Sequence, residues 1–105
     1  MSKFKVFIYG GNPLYSLRIP KEYRDFECFS NDGLVCIVPV SDLSFKLVRY
    51  TENLSKYSDC RKIASDGNLH LPKVLCAAIG LSRKSLVEVY PVCGGKEIVV
   101  RKISC

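Results

Sequence analysis

The residues of this chain that could do chemistry are six cysteines and a single histidine, His70. The cysteines are scattered, at Cys28, Cys36, Cys60, Cys76, Cys93 and Cys105. Structural zinc sites use cysteine and histidine ligands at short spacings, and no C-x-x-C pair occurs, so we predict no metal. No secretory leader is evident, which favours the cytoplasm and reduced thiols over disulfides. We therefore expect the cysteines other than Cys60 and Cys105 to pack as small hydrophobic residues.

His70 is weak evidence for catalysis. Asp66 lies four residues before it, a spacing that defines no acid–base pair, and no nucleophile stands at a useful position. The chain contains no G-x-G-x-x-G, P-loop, G-x-S-x-G or H-E-x-x-H motif. We predict that the protein is not an enzyme and binds no cofactor.

The basic residues outnumber the acidic ones and suggest a different chemistry. The net charge is +6 over 105 residues, a balance that attracts polyanions and nucleic acid first. Hydrophobic and charged contents are 48% and 25%, which is typical of one globular domain. No apolar run approaches the roughly 18 residues of a membrane span, so no membrane association is expected.

Most of the chain has the alternation typical of β-strands, and we predict a mainly β fold with short helices. The hydrophobic period changes only within "SDLSFKLVRYTENLSKY", where steps of four and three place apolar residues on one helical face. These residues are Leu43, Leu47, Tyr50, Leu54 and Tyr57. We therefore predict one longer helix over residues 41–57, with Ser41 as its N-cap. A second, short helix should begin at Pro72 and end at Gly80.

A short pattern occurs twice. "LRIPK" and "LHLPK" align when Pro72 is set over Pro20, and a short helix is predicted after each proline. A hairpin should follow each helix, with its turn at Gly33 in the first copy and Gly94 in the second. Because those glycines are 61 residues apart rather than 52, the second copy would carry about nine extra residues. The pattern indicates one domain, residues 1–105, with pseudo-repeats at about 3–40 and 61–103 joined by the 41–57 helix.

The second copy, "KIASDGNLHLPKVLCAAIGLSRKSLVEVYPVCGGKEIVVRK", resembles the SpoVT/AbrB swapped-hairpin family. The matching features are the L-P-K turn, the short helix ending in Gly-Leu, the V-E-V strand and the glycine turn. With its weaker first copy, the whole chain is similar to the MraZ branch, which fuses two such halves. The resemblance implies a duplicated swapped-hairpin β-barrel that binds DNA, controls transcription and can form homo-oligomeric rings.

The chain departs from this family at the D-x-x-x-R element through which each half contacts DNA. Its acidic and arginine positions hold Ala64 and Asn68 in the second copy, and Asn12 and Ser16 in the first. Other basic residues must then supply the phosphate contacts. Our candidates are Arg18, Lys21, Arg61, Lys62, His70 and Lys73, with Lys3 and Lys5 as weaker ones.

The expected function is therefore that of a DNA-binding transcriptional regulator with double-stranded DNA as its partner. The alternative is a protein-interaction module that binds and modulates a nucleic-acid enzyme or another regulator without binding DNA. An AbrB-like antitoxin is less favoured, because the chain ends three residues after the motif. Each basic residue also has a simpler interpretation as part of a solvated surface.

Overall fold

Two β-sheets contain all the strands in the part of the chain that the structure describes. The structure is a computed structural model that describes residues 3–11 and 14–103. The strands are Phe4–Phe7 (β1), Tyr9–Gly10 (β2), Tyr15–Arg18 (β3), Leu34–Ser41 (β4), Ser44–Arg49 (β5), Asp59–Lys62 (β6), Asn68–His70 (β7), Leu86–Val92 (β8) and Glu97–Lys102 (β9). The helices are Glu52–Ser55 (α1) and Lys73–Ile79 (α2), with 3-10 turns at Lys21–Tyr23, Glu27–Phe29 and Cys93–Gly95.

The larger sheet has six antiparallel strands in the order β1-β8-β9-β5-β4-β6, and it exchanges strands between the two halves of the chain. β1 of the first half pairs with β8 of the second, while β6 of the second half pairs with β4 of the first. Each half therefore supplies the strand that covers one edge of the other half's hairpin. The fold is mainly β, as the sequence predicts.

The smaller sheet has the order β2-β3-β7, and its central pairing also joins the two halves. Leu17 lies opposite Leu69, with Ser16 opposite His70 on one side and Arg18 opposite Asn68 on the other. Adding 52 to a residue number in β3 gives the equivalent position in β7, so Ser16 corresponds to Asn68 and Arg18 to His70. The Ser16–His70 pair is therefore equivalent to the Asn68–Arg18 pair. The pairing is therefore two-fold symmetric about the Leu17–Leu69 pair.

The helix predicted over 41–57 is wrong. Ser44–Arg49 is a strand between β4 and β9, and only Glu52–Ser55 is helical. "SFKLVR" also alternates, and Phe45 and Leu47 are buried on one face while two neighbouring strands satisfy the backbone on both sides. The supposed helical face is not buried as a unit, since Leu43 and Tyr57 are exposed. The helix N-cap is Thr51, whose Oγ1 accepts from the Leu54 N–H at 3.0 Å, rather than Ser41.

The first hairpin is consequently placed differently from the prediction. β4 and β5 are joined across Asp42 and Leu43, whereas Gly33 precedes β4 and closes no hairpin. The first half thus continues to Arg49, and its hairpin turn lies 52 residues before Gly94. The nine extra residues expected in the second half are not needed. The second hairpin, β8–β9 across Cys93–Gly95, is confirmed.

The short second helix is also confirmed. Pro72 precedes α2, and Gly80 ends it in the left-handed conformation with φ of 77°. Leu75, Cys76 and Ile79 of this helix face the interior. None of the helices in the described residues is long and apolar enough to span a bilayer.

Inward-facing side chains of both sheets form one hydrophobic core. Leu17 and Leu69 of the smaller sheet are fully buried in the same cluster as Phe45, Val89 and Ile98 of the larger one. The sheets nevertheless remain separate in the described residues, and the closed barrel implied by the family resemblance is not formed. β2 and β7 end the smaller sheet without continuing the pairing of the larger one.

Three cysteines differ from the predictions: Cys36 and Cys60, which the sequence predicts to be reduced thiols, and Cys93, which it predicts to pack in the interior. Cys36 and Cys60 lie opposite each other on β4 and β6, with Cα atoms 4.1 Å apart, and their sulfur atoms form a disulfide. Cys28 and Cys76 are buried thiols as expected, whereas Cys93 is exposed in the second hairpin turn. Cys105 lies outside the described residues.

Candidate nucleic-acid interface

The solvent-facing side of the smaller sheet carries two of the six basic candidates. Leu17 and Leu69 point into the core, so the alternating residues Arg18 and His70 point outward, as the sequence predicts. The 52-residue shift that relates the two strands places Arg18 and His70 at equivalent positions. This face therefore presents two nitrogen-bearing side chains in a two-fold arrangement.

Polar contacts hold this face in place. His70 Nδ1 lies 3.1 Å from Ser16 Oγ, and the Tyr9 hydroxyl donates to Asn68 Oδ1. Arg18 Nη2 lies 3.7 Å from Asp66 Oδ2, and both side chains are more than half exposed. An exposed ion pair of this kind contributes roughly 0–1 kcal/mol. Arg18 can therefore exchange Asp66 for a phosphate at small cost.

Lys21 and Lys73 extend the same two-fold arrangement. Each directly follows a proline, begins a short helical segment and is exposed. A cation at a helix start gains nothing from the helix dipole, and neither lysine has an ion pair among the described residues. Both ammonium groups are therefore available to a phosphate backbone.

Arg61 and Lys62 belong to a different surface. They lie on β6, an edge strand of the larger sheet, opposite Val35 and Leu34. Because neighbouring residues of a strand point to opposite faces, these two side chains diverge. The structure thus brings Arg18, His70, Lys21 and Lys73 into one repeated arrangement and leaves Arg61 and Lys62 on another strand. Of the weaker candidates, Lys3 has its Nζ 4.7 Å from the centre of the Tyr90 ring.

The positions of the family's D-x-x-x-R element lie beside this face but carry no cation. Ser16 and Asn68, which stand at the two arginine positions, occupy equivalent places on β3 and β7. Their side chains are already bonded to His70 and Tyr9. Ala64 is exposed, and Asn12 lies outside the described residues. A phosphate contact at these positions would need the neighbouring Arg18 instead.

Two exposed aromatic residues were missed by the sequence reasoning. Phe7 and Tyr9 are 61% and 38% exposed, although both lie in the apolar stretch "VFIYG". The alternation itself could have revealed them, because Val6 and Ile8 occupy the inward positions. Arg83 and Lys84, which are not among the basic candidates from the sequence, line a concavity together with both aromatic side chains.

The described residues offer no side-chain cluster for metal chemistry. They contain no group of three His, Cys, Asp or Glu side chains that could hold a metal ion. Burial raises the pKa of Cys28 to about 12 and also raises the pKa of Cys76. These thiols are therefore protonated at neutral pH and act as core residues.

Comparison of the chain with family models, curated proteins and solved structures found no match. The family resemblance accordingly rests on the sequence motifs alone.

Proposed function

We propose that this protein is a DNA-binding transcriptional regulator of the AbrB/MraZ type, built from two swapped-hairpin halves in one chain. The observation that carries the proposal is the two-fold pairing of β3 with β7, which repeats a basic residue on the strand and a lysine after the proline. The two backbones of duplex DNA are related by two-fold symmetry, and a two-fold symmetric protein surface can make equivalent contacts to both.

The reciprocal strand exchange supports the family assignment. Each hairpin is bordered by the first strand of the other half, through β1–β8 and β6–β4. A swapped-hairpin duplication would produce this pairing, because neither half alone can cover the edges of its own hairpin. Ring-like self-assembly is a prediction drawn from the same resemblance, and cytoplasmic location is one drawn from the sequence.

The mechanism would depend mainly on neutralising phosphates. Arg18, Lys21 and Lys73 provide exposed cations around the small sheet, and His70 adds a hydrogen-bonding group. Arg61 and Lys62 point to opposite faces of β6, so at most one of them would contact the backbone of the same duplex. Binding over a promoter would then block access to it. Phosphate contacts set position rather than sequence preference, so base or shape readout must come from additional contacts.

Fluorescence anisotropy with a labelled duplex tests this proposal. The gene's own upstream region is compared with a random duplex at about 50 and 200 mM salt, where phosphate contacts weaken steeply. The Lys21→Ala/Lys73→Ala protein should bind more weakly and reduce the slope of log K against log salt by about 2. Lys56→Ala/Lys96→Ala removes two exposed lysines from other surfaces and is the matched control.

Absence of duplex binding at the lower salt concentration would refute the proposal. Equal losses in the two double variants would also count against it, since binding would then depend only on net charge. Tighter binding to the upstream duplex than to the random one would support the proposal that the protein regulates its own gene.

One observation favours the protein-interaction alternative. Tyr57 and Val74 are about 80% exposed and line the same groove between α2 and the ends of β4 and β6. Exposed apolar side chains that share a groove mark protein contact sites. Under this alternative, a partner complex should withstand high salt and be lost in Val74→Asp, while duplex binding is absent.

A further inference from the structure

Phe7 and Tyr9 project from a short segment whose middle residue is held in the core. Ile8 between them is only 1% exposed. Its N–H donates to the Ser85 carbonyl at 2.9 Å, and its carbonyl accepts from the Lys84 N–H at 2.8 Å. This segment carries the chain from the larger sheet to the smaller one. The two rings are thereby fixed outward on either side of an immobile residue.

The same hydrogen bonds bring basic side chains to the rings. The loop that contains Arg83 and Lys84 is fixed by Ser85, which is buried and whose Oγ accepts from the Ser82 N–H at 2.9 Å. Arg83 and Lys84 are both exposed. The loop therefore presents two cations beside the aromatic pair rather than extending freely into solvent.

Two neighbouring concavities share these aromatic rings. The first is lined by Phe7, Tyr9 and Arg18, and the second by both rings with Ile8, Arg83 and Lys84. No carboxylate from the described residues lines either concavity. The surface thus alternates π faces with cations, and its charge is complementary to a polyanion.

The fold does not require aromatic and basic side chains at this surface, because the equivalent segment of the other half has the same backbone without them. There the Ile63 N–H donates to the Gly33 carbonyl at 2.9 Å, which repeats the bond between Ile8 and Ser85. The backbone of Lys84 has positive φ, and so does Asp32, 52 residues earlier. Asp32 therefore occupies the place of Lys84.

The aromatic position differs as well. In the pairing of β6 with β4, Lys62 stands where Phe7 stands in the pairing of β1 with β8. The backbone is repeated in both halves, but only one half combines exposed aromatic rings with basic residues. An exposed aromatic pair that the other half does not repeat points to a ligand.

We propose that Phe7, Tyr9, Arg18, Arg83 and Lys84 form a binding site for single-stranded nucleic acid. Unpaired bases stack on the two rings, and the flanking guanidinium and ammonium groups bind the intervening phosphates. Bases within an intact duplex cannot reach these rings, because they are already stacked on one another. The site is therefore distinct from the duplex-binding face and shares only Arg18 with it.

Anisotropy of labelled strands of about a dozen nucleotides tests the proposal. Oligo-dT, oligo-U and an abasic strand of equal length are compared at about 50 mM salt, since the abasic strand retains the phosphates but offers nothing to stack. The base-containing strands should bind more tightly than the abasic one. The oligo-dT and oligo-U measurements show whether DNA or RNA is preferred, and preference for either supports the site.

Variants assign the binding to the aromatic rings. Phe7→Leu and Tyr9→Leu keep apolar bulk but remove the π face, and each should weaken binding of oligo-dT by about 5- to 100-fold. Phe7→Tyr keeps an aromatic ring and should retain binding. Tyr57→Leu removes an aromatic residue that is 81% exposed elsewhere and should have no effect. Circular dichroism confirms that each variant is folded.

The proposal is overturned if neither oligo-dT nor oligo-U binds, if the abasic strand binds equally well, or if Phe7→Leu binds the preferred strand as tightly as the unchanged protein. Duplex binding is measured in parallel and fails or succeeds independently. Phe7→Leu should leave duplex affinity unchanged, whereas Lys21→Ala/Lys73→Ala should reduce it. Loss of duplex binding alone would thus refute the proposed regulator and leave the single-strand site standing.

Discussion

Reduction of the Cys36–Cys60 disulfide should lower the free energy of unfolding by about 3.5 kcal/mol. The two cysteines are 24 residues apart, and the chain-entropy relation for a closed loop of that length gives this value near 25 °C. The bond ties β4 of the first half to β6 of the second. It therefore restricts the unfolded chain while stabilising one of the two strand exchanges.

Urea unfolding followed by circular dichroism, with and without a phosphine reductant, measures this difference. Reduction is a better perturbation than substitution because Cys36 is fully buried and its truncation would add a cavity cost. Cys93→Ala removes an exposed thiol and serves as the control, since it should leave stability unchanged within about 0.5 kcal/mol.

Thiol alkylation of the unfolded, unreduced protein provides the decisive check. The peptides that contain Cys36 and Cys60 should stay unlabelled until reductant is added. Labelling of both without reductant would refute the disulfide. If the bond is present but its reduction changes the free energy of unfolding by less than about 1 kcal/mol, the loop-entropy reasoning is refuted.

Three further predictions follow from burial and electrostatics. Leu17→Ala should cost about 3–5 kcal/mol in urea unfolding, because its fully buried side chain lies against the other half of the chain. The bond from Arg101 Nη2 to Glu88 Oε1, at 2.7 Å, lowers the pKa of Glu88 below its ordinary value of 4.5. This pair should therefore stabilise the fold above pH 4.5 and lose its contribution as the pH falls through the lowered value, so acid denaturation should begin at higher pH in Arg101→Ala. Cys28, with its pKa raised to about 12, should resist a thiol reagent at pH 8, where about one part in ten thousand is thiolate, whereas exposed Cys93 reacts rapidly.

Each of these three has a measurement that would contradict it. Leu43→Ala is a control for Leu17→Ala because Leu43 is 52% exposed, and similar costs for the two would contradict the core assignment. A Glu88 carboxyl that titrates by NMR at or above 4.5 would contradict the ion-pair argument. Labelling of Cys28 in the folded protein as fast as Cys93 would show that its environment is open.

Local patterns predicted the elements that depend on nearby residues. Pro72 and Gly80 fix the two ends of α2 through their own backbone preferences. The alternation of Leu17 with Arg18, and of Leu69 with His70, correctly separated inward from outward side chains. The helix-end residues and the strand alternation were sufficient because each depends only on residues that are close in the sequence.

Pairing between distant residues decided the elements that were wrong. "SFKLVR" fits a helical and a strand pattern equally well, and β4 and β9 on either side select the strand. The disulfide depends on the register of β4 against β6, which places Cys36 opposite Cys60. No local pattern encodes that register, so cysteine spacing alone could not indicate the bond.

The candidate sites show the same division. Alternation found Arg18 and His70, and the repeated Pro-Lys found Lys21 and Lys73. The grouping of Phe7 and Tyr9 with the loop 82–85 arises only because Ile8 carries the chain between two sheets and binds that loop. Residues about 75 positions apart meet there through tertiary structure alone.

The exchange of first strands between the halves also determines when the fold can be completed. Phe4 pairs with Val89, so β1 must wait until 85 more residues have been synthesised before its partner exists. At about 5–20 residues per second, a nascent chain spends roughly 4–17 seconds with β1 unpaired. The local hairpin of β4 with β5 can close early, whereas β1 cannot pair until β8 has been synthesised. Such a high contact order places refolding of the complete chain in the range of milliseconds to seconds, and makes the emerging polypeptide most prone to aggregation before its second hairpin appears.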